Sequence, residues 1–229
     1  MKAMILAAGR GARLKPLTDK IPKPLLQVGP HCLIEYNLLA LKRAGIEEVV
    51  INVCYHAKQI IEKLGDGKPY GLRIEYSFEE GNPLGTGGGI FQALPLLGDE
   101  PFILISSDVW SQYPFNPVMM PSDEDAHLVL VENPSFHPKG DYALSETGQV
   151  SMQGKKLTYS GIAKVHPRLF KNCEPQHFSI SPLFNESIER GHVSGEIYRG
   201  PWFNVGTVEE LEHLKEMLPG LDSSQYLSQ

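Results

Sequence analysis

The chain opens with an apolar run that ends in a glycine turn and a group of cations. Residues 4–8 predict a buried strand, and Gly9 and Gly11 follow it directly. Glycines after a strand let backbone N–H groups approach phosphate oxygens, because no Cβ stands in the way. Arg13 and Lys23 supply the fixed positive charge that a polyphosphate needs. The pattern predicts a nucleotide site and chemistry at the phosphates.

Strand-like and helix-like segments alternate through the first half of the chain. Strands are predicted at 49–53, 72–76 and 102–105, and helices at 34–44, 57–64 and 87–94. The second half predicts strands at 128–131 and 159–165, short hairpin strands within 140–157, and helices at 181–190 and 208–217. This alternation predicts an α/β fold, with a mixed, mostly parallel central sheet and helices on both faces. Ligands of such sheets bind beyond the carboxyl ends of the strands.

Neither an internal repeat nor a low-complexity linker divides the chain. We therefore expect one domain over residues 1–218, with a nucleotide-binding half of about 1–110 and a second half of about 111–218, to which the family resemblance given below assigns the sugar. The polar segment 219–229 is expected to be a flexible tail.

Charge and composition restrict the partners. Residues 1–23 hold six basic residues against Asp19 alone, whereas the whole chain carries −6. A local cationic loop on an acidic protein suits a small anion and argues against nucleic acid. The three cysteines form no C-x-x-C pair, and no apolar stretch reaches the roughly 18 residues of a membrane span. We expect a cytoplasmic protein, a monomer or small homo-oligomer, that binds small molecules.

Two familiar phosphate-binding motifs fit this chain poorly. The fingerprint G-x-G-x-x-G requires a third glycine where the chain has Leu14, and Arg13 beside the turn suits a triphosphate better than a dinucleotide. The P-loop pattern is absent from the sequence. A dinucleotide-dependent oxidoreductase therefore remains only as an alternative.

Several segments together resemble the sugar-1-phosphate nucleotidylyltransferases, whose fold is Rossmann-like. These are LAAGRGARL at 6–14, PLT at 16–18, PKPL at 22–25, LGTGG at 84–88, Ser107-Asp108, and WFNVGT at 202–207. Within that family the chain is most similar to the N-acetylmuramate α-1-phosphate uridylyltransferases of peptidoglycan recycling, on residues 87–98, 107–110, 128–134 and 194–200. The resemblance implies condensation of UTP with a sugar 1-phosphate, which releases pyrophosphate.

The resemblance also assigns residues. Arg13 and Lys23 are the expected catalytic residues, and Asp108 and Asn204 the expected ligands of Mg²⁺. The expected nucleotide-binding residues are Ala8, Gly9, Gly11, Ala12, Arg13, Lys23, Glu80, Gly85 and Thr86. The expected sugar-binding residues are Ser107, Gly140, Asp141, Ser160, Gly161, Arg199 and Trp202.

Two positions depart from the family pattern. Asn204 stands where close relatives have aspartate, so one metal ligand lacks its negative charge. Ser107 stands where relatives commonly have glycine. These departures leave open a non-catalytic sensor of nucleotide sugars with the same fold. A uridylyltransferase or thymidylyltransferase for a different sugar 1-phosphate is also open.

Overall fold

A computed structural model describes residues 1–115, 120–121 and 123–220. The strands are β1 Lys2–Leu6, β2 Gln27–Val28, β3 His31–Cys32, β4 Glu48–Val53, β5 Arg73–Phe78, β6 Phe102–Ser106, β7 Val109–Ser111, β8 Ala126–Val131, β9 Tyr142–Leu144, β10 Val150–Ser151, β11 Lys156–Val165, β12 Val193–Ile197 and β13 Trp202–Asn204. The α-helices are α1 Leu33–Arg43, α2 Ala57–Leu64, α3 Gly85–Leu97, α4 Ser181–Glu189 and α5 Val208–Met217. The expected tail of 219–229 lies, beyond Gly220, outside the described residues.

The centre of the molecule is a mixed sheet of nine strands, counted over the described residues. Four parallel strands form one side of it in the order β6-β1-β4-β5, with β5 at the edge of the sheet. The antiparallel strand β11 continues the sheet beside β6 and pairs in turn with β8 and β9. The predicted α/β class with a mixed, mostly parallel sheet is confirmed. The carboxyl ends of the four parallel strands lie along the same side of the sheet.

Alternation along the strands builds a core on each side of the sheet. Ala3 and Ile5 of β1 face a cluster that contains the apolar stripes of α1 and α2. Met4, between them, faces the opposite cluster with residues of α3 and α4. Because successive strand residues point to opposite faces, one apolar strand supplies both cores. Among the described residues, no helix is both long and apolar enough to cross a membrane.

A distant segment covers the beginning of α3. The backbone N–H groups of Gly87 and Gly88 donate to the Phe178 carbonyl at 2.9 and 3.2 Å, and the Phe178 N–H donates to the Leu84 carbonyl at 3.0 Å. The Ile180 N–H donates to Thr86 Oγ1 at 2.9 Å. Two N–H groups at the start of this helix are thus satisfied by a carbonyl about ninety positions away.

A separate two-stranded sheet of β7 and β13 brings the C-terminal part of the chain to the segment that follows β6. These strands pair antiparallel, with Asn204 opposite Val109. The neighbouring helix α5 begins with a capping box, in which Thr207 Oγ1 accepts from the Glu210 N–H at 3.2 Å and Glu210 Oε2 accepts from the Thr207 N–H at 2.8 Å. This two-stranded sheet and the capping box of α5 place residues 202–210 beside the carboxyl end of β6.

Candidate active site

A cavity of about 350 Å³ opens at the carboxyl ends of the four parallel strands. Most residues that the sequence assigned to nucleotide or metal line it, namely Ala8, Gly9, Gly11, Ala12, Arg13, Lys23, Gly85, Thr86 and Asp108, and so does Ser107, which was assigned to the sugar. The other lining residues are Leu6, Ala7, Pro24, Asn52, Glu79, Pro83, Ser106 and Gly206. The chain passes from β1 to β4 on one side and later places β6 on the other, so the cavity lies where the strand order reverses.

The loop after β1, residues 8–13, is called the phosphate loop here. Gly11 has φ +62°, and a Cβ there would stand 2.9 Å from Thr18 Cγ2 and 3.1 Å from Lys23 Cβ. Thr18 Oγ1 donates to the Gly11 carbonyl at 2.9 Å. Only glycine fits a left-handed position so closely packed. The loop is therefore held directly against the segment that carries Lys23.

An ion pair joins two of the predicted residues across the cavity. Lys23 Nζ lies 2.5 Å from Asp108 Oδ2. Lys23 belongs to a short 3-10 turn, Lys23–Leu25, whereas Asp108 follows β6. The Lys23 side chain is only 12% exposed and that of Asp108 27%, so the pair is partly shielded from water. A cation and a carboxylate thus meet where a triphosphate would need charge.

The C-terminal part of the chain also reaches this cavity. Gly206 lines it, and the point that a Cβ of Gly206 would occupy lies 3.0 Å from both Arg13 Nη1 and Glu210 Oε2. Glu210 Oε2 accepts from the Gly206 N–H at 2.6 Å. The guanidinium of Arg13 therefore lies beside the start of α5.

Two buried polar residues, Asn52 and Glu79, form part of the cavity wall. Asn52 Oδ1 accepts from the Ala7 N–H at 2.8 Å, and Asn52 Nδ2 donates to Glu79 Oε1 at 2.6 Å. Glu79 Oε2 accepts from the Leu84 N–H at 2.6 Å. Burial, and then the nearby Glu79 charge, raise the pKa of the Cys54 thiol. Cys54 is therefore a neutral thiol beside the cavity and not a thiolate.

Residues 80–86, which hold the expected nucleotide-binding residues Glu80, Gly85 and Thr86, are called the base loop here, because the family resemblance implies that this segment contacts the base. Gly85 and Thr86 line the cavity, but the expected Glu80 is exposed and does not. Glu79 lines it instead, since its N–H extends the pairing of β5 by donating to the Val53 carbonyl at 2.9 Å. Strand alternation then turns position 79 inward and position 80 outward.

Asn204 carries an unusual amide oxygen. Its Oδ1 is buried without a hydrogen-bond partner among the described residues. Asn204 of β13 pairs with Val109 of β7, and the Val205 N–H donates to the Asp108 carbonyl at 2.9 Å. The two expected metal ligands therefore lie at the same end of this two-stranded sheet. The described part of the chain holds no group of three or more His, Cys, Asp or Glu suited to a metal. One carboxylate and one free amide oxygen fit Mg²⁺, which takes oxygen ligands and completes its shell with water and substrate phosphates.

Apart from Ser107, the expected sugar residues do not line this cavity. Gly161 stands behind Ser106, with Ser106 Oγ 3.1 Å from the place of a Cβ. The Ser160 carbonyl accepts from Trp202 Nε1 at 2.9 Å. Asp141 Oδ2 accepts from the Tyr159 N–H at 2.8 Å, which is a structural role next to Gly140.

A second cleft of about 340 Å³ opens between β13, α5 and the loop after β8. Its lining includes Trp202, Asn204, Phe136, His213, Glu132 and Glu210. Arg199 stands at its rim, where Nη1 donates to Glu132 Oε1 at 2.8 Å in an exposed pair. Glu210 of this cleft bonds Gly206 of the first, so the two cavities are neighbours.

Comparison with known proteins agrees with this geometry. Residues 2–152 match the Nucleotidyl transferase family. The chain is 42% identical to the N-acetylmuramate alpha-1-phosphate uridylyltransferase of Neisseria meningitidis serogroup B, over 95% of this chain and 98% of that protein. It is 34% identical to the protein of that name from Caulobacter vibrioides, over 89% and 91%.

A solved structure supports the fold. The putative glucose-1-phosphate thymidylyltransferase of Bacillus anthracis, in complex with a sucrose, superposes with a TM-score of 0.84 over 97% of this chain and 96% of that one, at 21% identity. With the match over residues 2–152 and the full-length relatives, the conclusion is direct. The chain belongs to the nucleotidyl transferase family and is a sugar-1-phosphate nucleotidyltransferase.

Proposed function

We propose that this enzyme transfers the uridylyl group of UTP to N-acetylmuramate α-1-phosphate, releasing pyrophosphate and forming a nucleotide sugar. The observation that carries the proposal is the Lys23–Asp108 contact of 2.5 Å at the mouth of the phosphate loop. The full-length similarity to two enzymes of that name supports the choice of UTP and of this sugar.

The chain's own residues divide the work at the phosphates. The phosphate loop, with Gly9 and Gly11, wraps the triphosphate, and Arg13 neutralises the charge that grows on the departing pyrophosphate. Lys23 bridges the α-phosphate and the incoming sugar phosphate. A phosphate monoester has a second pKa of about 6 and attacks as a dianion, so no general base is required. Catalysis then rests on positioning and charge neutralisation.

Asp108 and Asn204 are the residues that would hold Mg²⁺. The support is the buried Asn204 Oδ1, which has no hydrogen-bond partner among the described residues and belongs to the strand that pairs with β7, next to Asp108. When bound, the metal neutralises charge at the phosphates. In the protein itself the ammonium of Lys23 balances the Asp108 carboxylate.

For the sugar, we propose a position that extends from Asp108 towards the second cleft. Three observations support this: Trp202 and Asn204 line that cleft, Arg199 stands at its rim, and the cleft adjoins the cavity at Gly206. Aromatic walls suit the apolar face of a sugar, and an arginine suits the carboxylate of a lactyl group. The proposal includes the peptidoglycan-recycling role, a cytoplasmic location and small-molecule partners.

A matrix of triphosphates against sugar 1-phosphates tests the assignment. Pyrophosphate release is measured with UTP, dTTP and CTP, each combined with the 1-phosphates of N-acetylmuramate, N-acetylglucosamine and glucose. We expect the highest kcat/KM for UTP with N-acetylmuramate α-1-phosphate. A preference for the glucosamine sugar would overturn the choice of sugar and leave the reaction class standing.

A further inference from the structure

We propose that Asn52 and Glu79 are positioning residues that fix the phosphate loop and the base loop relative to each other. The proposal rests on the proposed function, because it assumes that one nucleotide spans both loops. Neither residue is among the site residues expected from sequence. Both line the nucleotide cavity and are almost fully buried, at 2% and 4% exposure.

The order of the strands explains how two side chains can link the two loops. The hydrogen-bonded pair of Asn52 and Glu79 is called the brace here. The phosphate loop follows β1 and the base loop follows β5, and β4 lies between these strands. Asn52 of β4 bonds the Ala7 N–H on one side and Glu79 on the other, at 2.8 and 2.6 Å. Glu79 then bonds the Leu84 N–H at 2.6 Å. Three hydrogen bonds thus run across the cavity wall from Ala7, the residue directly before the phosphate loop, to Leu84 of the base loop.

The donors and acceptors in this series of hydrogen bonds permit only some pairs of residues at positions 52 and 79. Both ends are backbone N–H groups, which can only donate. Asn52 turns its oxygen to Ala7 and its NH₂ to Glu79, so Glu79 must accept at both of its oxygens. A carboxylate does this, whereas a glutamine would point a donor at another donor. The negative charge of Glu79 is therefore required by the pattern of donors.

Helix α3 is packed onto the pair and closes it from the remaining side. A Cβ at Gly89 would stand 2.4 Å from Glu79 Oε1 and 2.7 Å from Asn52 Nδ2. Glycine is unfavourable in a helix interior, so its presence at a position of close approach fits the need for space. The brace therefore sits between the sheet and the helix with no room to shift.

The test exchanges the polarity of the pair. The single variants Glu79→Gln and Asn52→Asp each place two like groups, two donors or two acceptors, against each other. We expect each to raise KM for UTP at least about tenfold, since a buried group left unsatisfied is costly. We expect kcat to change less, because Lys23 and Asp108 remain in place.

The double variant Asn52→Asp/Glu79→Gln restores all three hydrogen bonds. The introduced carboxylate at position 52 accepts from Ala7 and from the introduced amide, and that amide's oxygen accepts from Leu84. The net charge equals that of the unaltered enzyme. We therefore expect recovery of both Tm and KM for UTP. Ser187→Ala is the control, because it breaks another buried bond, 2.5 Å to Asp125, far from the cavity, and should lower Tm alone.

Three results would overturn the proposal that Asn52 and Glu79 position the two loops. In the first, the single variants lower Tm as Ser187→Ala does but leave KM for UTP unchanged. Another is a double variant that regains Tm but not KM, which would make Glu79 a direct nucleotide contact. The third is a double variant that regains neither. Failure of the unaltered enzyme to use UTP would count against the proposed function instead, and the same variants would then be compared with whichever triphosphate it does use.

Discussion

Replacing Lys23 with alanine removes the charge on which the proposed chemistry depends most. The ammonium lies 2.5 Å from Asp108 and is 12% exposed, so water screens it only in part. At about 4 Å from a phosphate oxygen and an effective dielectric constant of about 20, a unit charge contributes about 4 kcal/mol. Removing one donor to a developing oxyanion costs about 2.7–4 kcal/mol in enzymes. As about 1.36 kcal/mol is tenfold in rate, Lys23→Ala should lower kcat/KM at least about 10²-fold.

Lys23→Ala should affect the free energy of unfolding far less than it affects kcat/KM. Asp108 keeps 27% of its side chain exposed and can be solvated when its partner is lost. A partly exposed pair of this kind contributes about 1 kcal/mol or less to folding. The circular dichroism spectrum of Lys23→Ala should therefore match that of the unaltered protein.

Pyrophosphate release under steady-state conditions measures the effect, and Lys15→Ala is the matched control. Lys15 belongs to the same cationic segment, but its side chain is 59% exposed and pairs with Asp19 at 3.1 Å. It does not line the cavity. We expect Lys15→Ala to turn over almost normally. Near-normal turnover in Lys23→Ala, or an equal loss in both variants, would refute the reasoning.

Three further changes test other residues of the site. Arg13→Ala should lower kcat/KM at least about 10²-fold, because the guanidinium neutralises the leaving pyrophosphate; a loss confined to KM for the sugar would contradict that role. Asp108→Ala should abolish Mg²⁺-dependent turnover, whereas Asn204→Asp should move the Mg²⁺ titration to lower concentration by restoring a carboxylate, and an unmoved curve would remove Asn204 as a ligand. Arg199→Ala should raise KM for N-acetylmuramate 1-phosphate more than for N-acetylglucosamine 1-phosphate, and equal changes would mean that Arg199 does not read the lactyl group.

The phosphate side of the site is predictable because its signals are local. A strand, a glycine turn and a cation follow one another within a few residues, and the ends of parallel strands must meet at one edge. Gly11, Arg13, Lys23 and Asp108 accordingly line one cavity.

The wall formed by Asn52 and Glu79 was missed, although signals for both exist. Asn52 is a polar residue within the apolar strand β4, and a buried polar group must find a partner. Position 79 shares the strand parity of the buried Ser77, which separates it from the exposed Glu80. What no local pattern shows is that the two side chains bond each other, since they lie 27 residues apart.

The strands β7, β12 and β13 were not predicted because they depend on distant partners. β7 and β13 have three residues each and pair across more than ninety positions. β12 holds Gly195 and Glu196 and is a strand because it pairs with β8. Such short segments carry too little alternation to be recognised by themselves.

The contact between α3 and the Phe178 segment has a consequence for exchanging substrate preference between relatives. The base loop and the first turn of α3 depend on carbonyl and N–H groups at 178–180 for their hydrogen bonds. A graft of residues 79–89 alone would meet a foreign backbone surface there and leave buried N–H groups unmatched. If the base loop selects the base as proposed, the transferable unit is therefore two stretches, 79–89 and 176–180, which belong to opposite halves of the chain.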